Sequence, residues 1–151
     1  MKRQFVGSQR GTSLIEFALL APVFIFLMIG LIEVGRYTYY GIVAAHAARA
    51  GVQFGSQNLV TAANPGGNAI ENAALSDAGS PSGWKAKYTL ICTIGGQPAN
   101  CPVSGSGVAP QTMVYYVQVQ VTGKVNSLLK YPGIPQQSSI TATSQMRVAN
   151  Q

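Results

Sequence analysis

Ionisable chemistry is scarce in this chain. Only 9% of its 151 residues are charged, and four of them are acidic: Glu16, Glu33, Glu71 and Asp77. They divide between an apolar helix and a short surface helix, so no carboxylate pair is expected in a cleft for general acid–base work. A structural zinc site takes four ligands, more than two cysteines and a lone His46 supply, and the helix reading places His46 away from the cysteines. No glycine-rich loop carries the lysine that phosphate binding needs, and Gly105-Ser-Gly107 stands outside that context. These absences point away from an enzyme, a metal, a cofactor and a small-molecule substrate.

Dense basic patches are missing too. The net charge of +6 splits into +3 over residues 1–11, zero over 12–50 and +3 over the remainder. Nucleic-acid surfaces cluster Lys and Arg among aromatics, whereas Lys85, Lys87, Lys124, Lys130 and Arg147 are spread along the chain. They read as solvated charges on a sheet face, and no nucleic-acid partner is expected. A hydrophobic content of 47% rules out a disordered chain and suits one membrane segment plus one small domain.

What is present begins with an apolar run. From Leu14 to Ile32 the only charge is Glu16. At 1.5 Å rise per residue this stretch is about 28 Å long, close to the ~30 Å hydrocarbon thickness of a bilayer. It can cross once, with membrane lipid as its surroundings. Lys2, Arg3 and Arg10 precede it, while Glu33 and Arg36 cancel after it, so the positive-inside bias puts the N-terminus in the cytoplasm and the remainder outside. Tyr37, Tyr39 and Tyr40 then fall at the outer interface. A cleaved signal peptide is disfavoured, because the nearest small-x-small site, Ala45-His-Ala47, lies well past the run and helical periodicity continues through it. Pro22 removes one backbone hydrogen bond and is expected to bend the helix around Phe17–Ala21.

Helical character persists from residue 34 to 56, alanine-rich and free of proline, with Ile42, Ala45, Arg49 and Val52 at helical spacing. From Thr12 to Ser56 a rod of about 67 Å results, twice what a bilayer needs, so its outer half must pack on something. Ala47, Gly51 and Gly55 form a small-residue ladder that either admits a close neighbour or merely reflects tolerance of small residues.

Residues 57–151 have the texture of a small domain. Asn64-Pro-Gly-Gly67 reads as a turn, and Asn68 with Glu71 three residues later predicts a capped helix over Ala69–Ala78 ending at Gly79. Its narrow apolar stripe is Ile70, Ala73 and Ala74, with Asp77 on the same face. Three segments alternate with period two: Trp84 to Cys92, Tyr115 to Val121 and Ile140 to Val148. They predict an antiparallel sheet of about three or four strands, wet on one face and covered on the other by the outer half of the long helix. The fold class is α+β. Cys92 and Cys101 enclose a turn-forming stretch, and in an oxidising compartment a disulfide there contributes roughly 2–3 kcal/mol. The polar stretches Asn100–Gln111 and Asn126–Gln137, the latter with Leu128, Leu129 and Tyr131, are candidate contact surfaces.

Gly11-Thr-Ser-Leu-Ile-Glu-Phe17 resembles the processing site of type IV prepilins, with glycine before the cut and glutamate as fifth residue of the mature chain. Ala18-Leu-Leu-Ala-Pro22 and Glu33-Val-Gly-Arg36 resemble the TadE-like pseudopilins of the tight-adherence (Flp) pilus system. The resemblance implies a pilin-like, noncatalytic subunit, a pseudopilin or minor pilin serving pilus assembly and thereby surface adhesion or biofilm formation. It implies a leader over residues 1–11, cut by a prepilin peptidase between Gly11 and Thr12, then a spanning helix over 12–33, its extension over 34–56 and a domain over 57–151. Glu16 is implied to pair with the N-terminal amine of a neighbouring subunit, with Phe17 and Pro22 completing the motif. Partners would be the peptidase, other pilin or pseudopilin subunits and the assembly platform, at the inner membrane and then in a surface pilus. On the residues alone Glu16 could also be an interfacial acid reaching water, and Glu33 and Arg36 an ordinary i, i+3 pair. The competing function is a single-pass anchored binding module outside any pilus.

Overall fold

A computed structural model describes residues 11–63, 67–101, 113–128 and 136–149. Residues 1–10 of the expected leader, most of the 64–67 turn, and residues 102–111 and 129–135 of the two candidate contact stretches lie outside them. The elements are α1 (Thr12–Gly55), α2 (Leu59–Ala62), α3 (Ala69–Asp77), β1 (Lys85–Ile94), β2 (Gln97–Ala99), β3 (Met113–Asn126) and β4 (Gln137–Arg147). The class is α+β. By internal contacts the chain divides into two units, with the break between Arg36 and Tyr37.

In the first unit α1 is apolar all round. Leu14, Ile15, Phe17, Leu19, Phe24 and Leu31 all expose more than half of their surface, on every side of the helix. A helix of this kind is stable only where apolar surroundings take the place of water. Its length and composition suffice to cross a membrane. Pro22 lies inside an unbroken α-helical stretch; its missing N–H leaves the Ala18 carbonyl without its usual donor.

The second unit is a four-stranded antiparallel sheet in the order β2-β1-β3-β4. Central β3 alternates strictly, burying Tyr115, Val117, Val119 and Val121. Each fully buried valine contributes about 1.5–3 kcal/mol by removal of apolar surface from water. The 37–55 stretch of α1 and the short α3 cover this face together. A Cβ added at Gly51 would meet Ala74 Cβ at 3.0 Å and Val119 Cγ1 at 3.1 Å, and one at Gly55 would meet Val117 Cγ1 at 2.9 Å. The small-residue ladder therefore marks the seam between helix and sheet. The buried face of α1 is Ala44, Ala47, Ala48, Gly51, Val52 and Gly55. Ile42, Ala45, Arg49 and Val52 lie in the helix as their spacing predicts, with Val52 buried and Ile42 52% exposed. Close approach to a sheet selects small side chains over large ones.

Three local expectations need correction. The α3 helix ends at Asp77, and Asn68 occupies the N-cap position without a side-chain cap bond. Its buried residues are Ile70 and Ala74, with Leu75 and Ala78 packed beside them, while Asp77 is exposed. On β4, Met146 is 40% exposed and the expected inward face is only half-buried, because this strand is the sheet edge. The stretch between the cysteines contains a strand, β2, joined to β1 through Gly95 and Gly96 at φ 58° and 84°. Two successive left-handed residues make the two-residue hairpin turn that glycine allows, and Pro98 is tolerated because β2 is an edge.

Candidate assembly site and the unit behind it

Thr12 is the first residue of α1, and Gly11 directly before it is in a 3-10 turn with open space around its Cα. Glu16 lies one helical turn further in, about 6 Å along the axis. Its side chain is exposed among Leu14, Ile15, Phe17, Leu19 and Leu20, which are exposed as well. A carboxylate set among apolar side chains is stabilised by a nearby cation wherever water is excluded. An α-ammonium on Thr12 would itself sit at the positive end of the helix dipole, where a carboxylate one turn away relieves it. Amine and acid are therefore complementary, within one chain or between neighbours. Phe17 is 68% exposed, and Pro22 follows within the same apolar stretch.

Glu33 and Arg36 form an ion pair, with Arg36 Nη1 donating to Glu33 Oε2 at 3.2 Å. The pair closes the apolar stretch with no net charge. Cys92 and Cys101 are joined in a disulfide, Cα atoms 5.3 Å apart, which ties the end of β2 to β1. Among the described residues no group of three His, Cys, Asp or Glu side chains is placed to hold a metal.

Several contacts that hold the second unit escaped the sequence reading. Trp84 lies against Gly123 so closely that an added Cβ would stand 2.3 Å from Trp84 Cε2, and Tyr40 of α1 approaches the indole at 6.4 Å between ring centres. The Tyr88 hydroxyl donates to the Ala62 carbonyl. Burial, and secondarily the charge of Glu71, push the Tyr88 hydroxyl up to about 12. The half-turn after α1 is pinned by the chain end: Ala149 N–H donates to Ser56 O at 3.0 Å, and Ser56 Oγ meets Met146 Sδ at 3.1 Å. A strand glycine opposite the start of another strand was the available signal for the first contact; the others depend on register.

Residues 11–53 match the family model described as TadE-like protein. No curated protein and no solved structure matches the chain.

Proposed function

We propose that this chain is a TadE-like pseudopilin, a noncatalytic single-pass subunit of a tight-adherence pilus system. Its leader, residues 1–11, is removed by a prepilin peptidase at the cytoplasmic face of the inner membrane. Residues 12–33 hold the subunit in the bilayer until assembly, and the sheet unit lies outside, where the Cys92–Cys101 disulfide persists. Glu16 then neutralises the new Thr12 amine of a neighbouring subunit as helices bundle, and the assembled pilus serves adhesion. The observation that carries this reading is the coincidence of three features within the matched segment. The helix starts at Thr12, Gly11 precedes it, and Glu16 is the one charged residue between Gly11 and Glu33. A carboxylate in such a helix costs roughly 3 kcal/mol at the bilayer centre and less near the interface, and a cation beside it offsets that cost.

The test is Glu16→Ala and Glu16→Gln in the native host, comparing the membrane fraction with material sheared from the cell surface. Both variants should insert as the unmodified chain does while assembly fails. Normal pili in Glu16→Ala would overturn the pairing role.

A further inference from the structure

The lysines of the wet sheet face, spread along the sequence, come together in the fold. Lys85 pairs with Thr122 and Lys87 with Gln120 across β1 and β3. Lys124 is therefore the diagonal neighbour of Lys85 on the same face, at about 7–8 Å. All three are exposed. The acids of this unit, Glu71 and Asp77, are both on α3, which covers the opposite face, so no carboxylate among the described residues offsets this cluster.

The cluster also has a definite place along the unit. Gly55 packs on Val117, Gly51 on Val119, and Tyr40 on the indole that covers Gly123. From Gly55 to Tyr40 the helix rises about 22 Å, and from Val117 to Gly123 the strand advances about 20 Å, so the two keep pace. One further step brings Lys124 and Asn126 level with Tyr37, where the chain joins the apolar segment. Leu128, just beyond β3, is 61% exposed.

We propose that this end of the sheet unit docks on anionic phospholipid headgroups, with Lys85, Lys87 and Lys124 supplying the charge and Leu128 an apolar contact. Covalent continuity with the apolar segment at Tyr37 brings a headgroup layer within reach, and the acid-free face matches its sign. The inference rests on the reading that residues 12–33 cross a bilayer, and is independent of leader removal and of Glu16. Each lysine near an anionic surface shifts the equilibrium about fivefold, so Lys124 and Lys85 together shift it about twenty-five-fold, with Lys87, about 13 Å up the strand from the level of Lys124, adding less, all in a salt-dependent way.

The full chain, its disulfide intact, is reconstituted in vesicles of phosphatidylcholine alone or mixed with phosphatidylglycerol. A nitroxide is attached at Ser139→Cys, whose parent residue pairs with Lys124 and is exposed, and nickel is chelated on lipid headgroups. Relaxation of the nitroxide should be strong in anionic vesicles and weak in neutral ones. Lys85→Gln/Lys87→Gln/Lys124→Gln or high salt should lower the docked-to-undocked ratio by at least tenfold, while a label at Ser76 on α3 stays unaffected. Equal relaxation in both vesicles, or indifference to the triple variant, would overturn the proposal. So would relaxation that follows protein density instead of lipid charge, which would assign the face to a second copy. A chain that fails to float with either vesicle would instead remove the spanning reading, and this inference with it.

Discussion

Replacing Gly123 by alanine should dislodge the only tryptophan of the chain. The added methyl would lie 2.3 Å from Trp84 Cε2 and 2.6 Å from Cδ2 and Cζ2, against the 3.5–4.0 Å at which carbon atoms normally rest. The indole must therefore retreat by more than an ångström, or β3 must bend away from it. Trp84 is 7% exposed and belongs to the core. Full ejection of such a ring uncovers about 200 Å², or about 5 kcal/mol at 25 cal/mol per Å², as an upper bound. Alanine recovers about 0.5–1 kcal/mol through the lower chain entropy of the unfolded state. A partial retreat leaves a net loss of about 2–4 kcal/mol, which lowers Tm by roughly 10 °C for a unit of this size. Because the chain holds a single tryptophan, its emission reports the displacement directly, as a red shift with loss of near-ultraviolet circular dichroism. In a Trp84→Ala background the same glycine change should turn neutral or mildly stabilising, which isolates the contact. An unshifted emission maximum with an unchanged or raised Tm would refute the reasoning.

Other perturbations probe the rest of the unit. Gly55→Ala should be less stable than Gly41→Ala by about 1–3 kcal/mol, since both gain helix propensity but only the first drives a methyl into Val117; equal Tm shifts would count against the helix–sheet seam. Reducing Cys92–Cys101 should lower stability by roughly 2–3 kcal/mol, read as a Tm difference with and without reductant, and an unchanged Tm would deny the disulfide that role. The Tyr88 hydroxyl titrates higher in the fold, at about 12, than its ordinary value of 10.0, so the neutral phenol is the form the fold favours. Its contribution is complete below pH 10 and is lost as pH rises toward 12. Tyr88→Phe should flatten that alkaline decline, and an identical pH profile in the two proteins would contradict it.

Much of this architecture is legible in the residues because its signals are local. The apolar run, the absence of proline from Val23 to Asn64 and the alternation around Val117 and Val119 depend on near neighbours. Orientation is harder to read. Helix periodicity left open whether the Ala47, Gly51, Gly55 ladder packs; the sheet took it together with Ala44 and Ala48, because backbone approach is limited by side-chain size and the partner surface is set elsewhere in the chain. Strand β2 was hidden by Pro98 and by its three-residue length. Met146 alternates as an inward residue should, but its strand lies at the edge of the sheet. The Trp84–Gly123 contact and the diagonal meeting of Lys85 with Lys124 exist only once the register of β1 on β3 is fixed. At the N-terminal site the situation reverses: Gly11, Thr12 and Glu16 are neighbours in the chain, so their spacing carries the motif before any fold is known.

The most direct test of the assembly account is the intact mass and N-terminal sequence of the protein from native membranes and sheared surface material, with prepilin peptidase active or inactivated. The account predicts a chain beginning at Thr12 when the peptidase is active and one retaining residues 1–11 when it is not. A chain that still begins at Met1 in the presence of active peptidase would contradict it.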